Sequence, residues 1–242
     1  MNVRRVIQSA RFLARSSAPL PVIAAMIRDR IDAPRVRRRF GPRRSEFEAG
    51  LAGCDFSTDW FTSRLCHWLD MFERYPLPAG AEILEIGSWE GMSTLFMLST
   101  WPDARITCVD TWEGGWVYRG TPQARDSEGR FDAHTARFAD RITKFRGTSA
   151  AYFDAAAARD RFDFVYVDGS HGYADVLGDA FAGFEALKPG GIMLFDDYLM
   201  APRDGVQDCP GPAVNRMLRE KRGQYRVIAA NWQLAIRKLP QS

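Results

Sequence analysis

The 242 residues, 46% hydrophobic and 12% aromatic, can bury one substantial α/β core with an appendage, and are too few for two full domains. The net charge of +3 is unevenly spread: positions 1–44 hold twelve Arg against Asp29 and Asp32, leaving 21 basic and 28 acidic residues, net −7, from position 45 onward. An acidic body argues against nucleic acid as a partner, because binding phosphate backbones needs a basic face.

The basic arm, taken as 1–45 and in part helical, includes Arg35 and Arg37-Arg38-Arg39 beside Pro34 and Pro42, with an apolar stretch at 18–27 interrupted by Pro19 and Pro21. That stretch is too short to span a bilayer and lacks a small-residue cleavage site, so it reads as neither a transmembrane helix nor a signal peptide. It reads as a solvated or partner-docking arm, open to weak contact with a membrane surface or an anionic partner. An Arg-rich, acid-poor start is also similar to an organelle transit peptide. Cys54, Cys66, Cys108 and Cys209 are widely spaced with no Cys-x-x-Cys pair, which points to reduced thiols in a cytoplasmic protein rather than disulfides or a zinc site.

The remainder, 46–242, is expected to form the main domain. Ser57 or Thr58 is expected to cap a helix in which Trp60, Phe61, Leu65, Trp68, Leu69 and Phe72 recur at helical spacing, stopped by Tyr75-Pro76-Leu77-Pro78. From 81 onward, strands at 81–86, 105–110, 142–145, 162–168 and 191–196 alternate with helices at 92–100, 131–139, 150–158 and 173–187. Stretches 118–129 and 201–210 lack periodicity and read as substrate lids. A helix near 212–222 precedes strands at 225–230 and 232–238, turned at Asn231. The expected fold is therefore α/β, a doubly wound Rossmann-like sheet of seven strands, mostly parallel with an antiparallel C-terminal hairpin.

The most informative segment is Glu85-Ile86-Gly87-Ser88-Trp89-Glu90-Gly91, where a strand runs into a glycine-rich turn that opens a helix. Glycine admits positive φ and lets a ligand approach bare backbone, so such a turn suits a nucleotide-like ligand; the alternative is a tight turn with no ligand. The dinucleotide pattern Gly-x-Gly-x-x-Gly is absent, and Glu85 and Glu90 would repel a diphosphate while favouring an ammonium and a sulfonium. Asp110 ends the second strand where an acid can accept both ribose hydroxyls, or else cap the following loop. Val167-Asp168-Gly169-Ser170-His171 and Leu194-Phe195-Asp196-Asp197-Tyr198 end two further strands. If these are neighbours about 4.8 Å apart, Asp168, Asp196 and Asp197 meet at one edge of the cleft. Three such carboxylates repel unless a proton or a hard divalent ion intervenes, Mg²⁺ before Ca²⁺ or Mn²⁺; helix capping or solvent contact is the alternative.

The Glu-x-Gly-x-x-x-Gly turn resembles the first motif of class I S-adenosylmethionine (SAM) methyltransferases, over roughly 56–239, and the aspartates resemble those of metal-dependent O-methyltransferases of the catechol, caffeoyl-CoA and macrocin types. The resemblance implies SAM contacts at Glu85, Gly87, Ser88, Gly91, Asp110 and Asp168. It adds Trp112, from an Asp-Thr-Trp-x-Gly-Gly segment, as a cover for adenine or a packing residue, and Ser149 as an adenine contact or a helix N-cap. It further implies Mg²⁺ at Asp168, Asp196 and Asp197. His171 stands where catechol-type enzymes carry a basic residue that takes the substrate's proton, and imidazole suits that role at neutral pH; a bond within its own turn is the alternative. The implied activity is O-methylation of a small-molecule hydroxyl, a sugar or natural product. The rivals are a metal-independent methyltransferase and a non-catalytic SAM-binding scaffold.

Overall fold

The computed structural model describes residues 18–115, 118–200 and 209–240. Seven strands, β1 (Glu82–Ile86), β2 (Arg105–Asp110), β3 (Ile142–Arg146), β4 (Phe162–Val167), β5 (Leu187–Phe195), β6 (Tyr225–Ala230) and β7 (Leu234–Lys238), form one sheet in the order β3-β2-β1-β4-β5-β7-β6. The first five are parallel, while β7 lies antiparallel between β5 and β6. The expected sheet and its terminal hairpin are thus present.

Alternation along the strands sends side chains to two apolar layers. Leu84, Ile86, Val165, Val167, Met193 and Phe195 face one, covered by α5 (Ser149–Ala156), α6 (Tyr173–Ala186) and α7 (Pro210–Glu220). Ile83, Ile106, Cys108, Phe164, Tyr166 and Leu194 face the other, covered by α2 (Leu65–Arg74), α3 (Met92–Thr100) and α4 (Pro122–Thr135). Both faces are buried because parallel crossovers place helices on both sides. In the second layer Trp68 is fully buried and donates its Nε1–H to Gln233 Oε1 at 2.8 Å, which allows an indole to lie in a core without an orphaned donor.

The chain's N-terminal region behaves differently from a solvated arm. A 31-residue helix, α1 (Leu20–Gly50), contains both Pro34 and Pro42, and the boundary expected at 45 falls inside it. Val22 and Ala25 join the first apolar layer and Val36 and Phe40 the second, so α1 crosses the β6 edge of the sheet. There the buried Asp29 accepts from Ala230 N at 2.7 Å, and Arg28 donates to Ile228 O at 2.7 Å. These bonds satisfy backbone groups that an open edge strand would leave unpaired.

Two other elements differ from expectation. The helix expected from Ser57 or Thr58 starts later: Asp59 accepts from the backbone N–H groups of Phe61 and Thr62 and from the Thr62 hydroxyl, nucleating a 3-10 turn at Thr62–Arg64 before α2. The stretch 118–129 is no irregular lid, because α4 begins at Pro122, capped by the Thr121 hydroxyl. Its buried positions are Ala124, Ser127, Phe131 and Thr135, correctly spaced for a helix face but mostly too small or polar to register as hydrophobic periodicity. The stretch expected at 201–210 as a second lid lies outside the described residues as far as 208; Pro210 opens α7.

Candidate active site

The turn after β1 is built by close backbone approach. Gly87 has φ +87°, and a Cβ there would lie 2.1 Å from the carbonyl oxygen of Asp168, because Asp168 N donates to Ile86 O where β4 runs beside β1. Only glycine fits. Gly91 has φ +84°, and its missing side chain admits Phe131 and Thr135 of α4, so it serves helix packing. The predicted cofactor contacts Glu85, Ser88 and Asp110 form the turn's internal frame. Glu85 is fully buried and accepts from the hydroxyls of Ser88, Ser93 and Thr94 at 2.5–2.8 Å; burial pushes its pKa up while these bonds oppose the shift. Asp110 accepts from Ser88 N and Trp89 N at 2.8 Å each and from Trp112 N at 2.7 Å. That leaves little of its acceptor capacity for a ribose.

Beside this turn lies a cleft of ≈ 410 Å³ lined by Gly87, Ser88, Trp89, Phe56, Thr58, Trp60 and Asp168, among others. Thr58 Oγ1 and Trp89 Nε1, both on its wall, and the neighbouring Ser57 Oγ are buried polar atoms without a hydrogen-bond partner. Such orphans are costly unless a ligand answers them, and they fit a ligand with both donors and acceptors, as SAM has. Two further predicted contacts are occupied elsewhere. Trp112 is buried, packs at a tilt against Phe131 with ring centroids 5.2 Å apart, and donates Nε1–H to Trp89 O at 2.8 Å, contacts that fit the packing alternative. Ser149 opens α5, whose cap is Thr148, and its hydroxyl acts to lower the pKa of the buried Asp179 carboxyl.

Pairing of Val167 with Phe195 in β4 and β5 brings the aspartates together as the sequence implied, but with different roles. Asp168, His171 and Asp197 each offer a ligand atom within 4.8 Å of the others, and His171 Nε2 is 3.3 Å from Asp197 Oδ2. Asp196, predicted as a metal ligand, is absent from this group. It is turned into the core, where its Oδ2 accepts from Tyr166 Oη at 2.6 Å and Gln233 Nε2 at 2.8 Å, and its Oδ1 from Asp197 N at 2.6 Å. Asp197 has φ +51° and accepts from the Trp232 indole, which aims its other oxygen at His171.

Tyr166 and Gln233 are the residues that sequence reasoning missed. Tyr166 precedes Asp168 by two positions on a strand, hence on the same face, and that spacing was the available signal. Its hydroxyl lies 2.9 Å from Asp168 Oδ2 as well as 2.6 Å from Asp196 Oδ2, and one hydrogen cannot serve two carboxylates. Burial, and then the neighbouring Asp196 and Asp197 charges, push Asp168 well above the usual carboxylate range. A proton or a cation must neutralise this cluster. Two carboxylates and an imidazole form a donor set that fits a divalent ion.

Residues 84–198 match a protein family described as "Methyltransferase domain". No curated protein matches the sequence. Among solved structures, a Corynebacterium glutamicum protein aligns with a TM-score of 0.55 at 14% identity, over 100% of this chain and 99% of that one. The O-methyltransferase TomG from Streptomyces achromogenes, involved in tomaymycin synthesis and solved with SAM, aligns at 0.54 and 16% identity over 100% of both chains. The MycE methyltransferase of the mycinamycin pathway, solved with Mg, SAH and mycinamycin VI, aligns at 0.54 and 21% identity over 81% of this chain; the match spans 53% of MycE, about half its length. These likenesses establish the fold. The family match over 84–198, just under half of the chain, makes that stretch similar to a methyltransferase domain.

Proposed function

We propose that this protein methylates a hydroxyl of a small molecule, a sugar or natural product, with the help of a divalent ion. The observation that carries the reading is the convergence of Asp168, His171 and Asp197 within 4.8 Å, sharing Asp168 with the cleft beside Gly87. In that cleft the orphaned Thr58 hydroxyl and Trp89 indole N–H, with the bare backbone at Gly87, would hold SAM, which supplies an electrophilic methyl group. Asp168 and Asp197 would hold the ion, Mg²⁺ or, given the adjacent imidazole, Mn²⁺, whose charge lowers the pKa of an acceptor hydroxyl. His171, oriented by Asp197, takes the hydroxyl proton. Proximity of acceptor and donor in one desolvated cleft supplies the rest of the rate. TomG, named as an O-methyltransferase, supports a hydroxyl acceptor, and MycE, solved with Mg, supports a magnesium partner. Cys54, Cys66 and Cys108, present as thiols, support a cytoplasmic setting.

One observation favours a second reading: the His171–Asp197 pair at 3.3 Å is itself an oriented base, sufficient for a metal-independent methyltransferase. The test is SAH release from SAM with a panel of hydroxyl acceptors, with EDTA or with added Mg²⁺ or Mn²⁺. The proposal predicts loss in EDTA, recovery with metal, and a loss of about 100-fold or more in His171→Ala. Turnover surviving EDTA and Asp197→Asn but not His171→Ala would select the metal-independent reading. SAM binding without turnover of any acceptor would contradict both.

A further inference from the structure

Helix α1 is apolar on two opposite faces. Val22, Ala25, Val36 and Phe40 are buried against the body, yet Leu20, Ile27 and Ile31 are 79%, 58% and 73% exposed. These three are spaced seven and four residues apart, which places them on one stripe of the helix, turned away from the buried face. Among the described residues only Trp60 and Leu239 are also large hydrophobics left exposed, so most such surface is concentrated on this one helix. Evolutionary tolerance of scattered surface leucines does not account for an aligned stripe.

The exposed charged residues beside the stripe all carry one sign, the nearby Asp32 being half-buried. Arg30, Arg35 and Arg38 are exposed, and none has an ion-pair partner among the described residues, in contrast to Arg28, Arg39 and Arg44, which pair with Asp29, Glu73 and Glu48. Arg38 lies on the same line as Leu20, eighteen residues or five turns further along. An aliphatic ridge flanked and extended by unpaired guanidinium groups is the pattern by which a helix lies in a membrane interface, with the apolar residues among the acyl chains and the arginines on anionic headgroups.

We propose that the outward face of α1 docks the enzyme on an anionic lipid surface. Charge selects this partner over a second copy of the chain. Two copies pairing along the stripe would bring the exposed Arg30, Arg35 and Arg38 of each helix towards like charges on the other; an anionic surface neutralises them instead. The same charges orient the protein, because the segment from 45 onward is net −7 and is repelled by the surface that attracts α1. The described helices include none long and apolar enough to cross a membrane, so the contact is peripheral and reversible.

The experiment is sedimentation of the full chain with vesicles of phosphatidylcholine alone or mixed with phosphatidylglycerol. Three proteins are compared: wild type, Ile27→Glu/Ile31→Glu, and Arg30→Glu/Arg35→Glu/Arg38→Glu. Wild type should bind the anionic vesicles about tenfold or more tightly than the neutral ones, with binding falling as salt is raised. Each variant should lose about tenfold or more on anionic vesicles while keeping the wild-type melting temperature and circular dichroism, since the altered side chains are exposed. Equal binding to neutral and anionic vesicles, or retention of binding in both variants, overturns the proposal. So does absence of vesicle binding together with a concentration-dependent dimer that the Ile27→Glu/Ile31→Glu variant abolishes, which would assign the stripe to a second copy.

Discussion

Asp179, on α6, is 3% exposed and carries a carboxyl whose pKa burial lifts from 3.8 to about 6, opposed by the Ser149 hydroxyl and reinforced by Asp175. Because the folded value lies above the unfolded one, the native state binds the proton more tightly. The stability that this group contributes is therefore greatest below pH 3.8, falls as pH rises, and levels off above about 6. The whole loss is about 3 kcal/mol, and about half of it has already occurred by about pH 5, leaving about 1.4 kcal/mol between about pH 5 and about pH 8. Asp179→Asn keeps the shape and removes the ionisation. Urea unfolding of both proteins at those two pH values should show the variant gaining about 1.4 kcal/mol on wild type as pH rises. A gap that stays constant, or that moves in the opposite direction, refutes the assignment of a buried, raised carboxyl at this position.

Gly87→Ala should be severe, since positive φ alone costs a non-glycine residue about 1–2 kcal/mol and the new Cβ meets Asp168 O at 2.1 Å. Calorimetry should find SAM affinity reduced by about tenfold or more, and an unchanged melting temperature would show that β4 does not press on the turn. Trp112→Phe removes the bond to Trp89 O, so chemical unfolding should register a loss of about 1 kcal/mol; SAM affinity should hold within about twofold, whereas a large loss would restore the adenine-covering role. Arg130→Ala leaves the buried Glu90 carboxylate without its 2.8 Å partner, and a loss of about 2 kcal/mol should follow. Full stability at neutral pH would mean that the Ser57 N–H bond to Glu90 suffices alone.

The fold was legible because its strands are buried on both faces and read as short apolar runs, and because Gly87, Gly91 and the 231–233 turn punctuate them. The ends of the sheet's parallel strands were legible for the same reason, which is how Asp110, Asp168 and Asp197 were located from position alone. What position cannot reveal is direction. Asp196 and Asp197 are adjacent, yet one turns to Tyr166 and Gln233 and the other to His171, a division set by the αL conformation at Asp197 and by partners distant in sequence. Trp112 was ambiguous because an indole serves equally as a ligand platform and as core; the aromatic ring of Phe131, on a helix with no hydrophobic periodicity, favours the core. The N-terminal segment was misjudged because arginines dominate its composition, while the few residues that dock it, Val22, Ala25, Asp29, Val36 and Phe40, are diluted among them.

The account turns on a divalent ion and a methyl donor sharing Asp168 as a neighbour. A crystal grown with SAH and Mn²⁺, with data collected at the manganese absorption edge, tests this directly. The predicted map has an anomalous peak coordinated by Asp168 and Asp197, beside His171, with SAH in the cleft against Gly87 and Thr58. A map with SAH bound and no peak there, or with the peak and the nucleoside on different edges of the sheet, would contradict it.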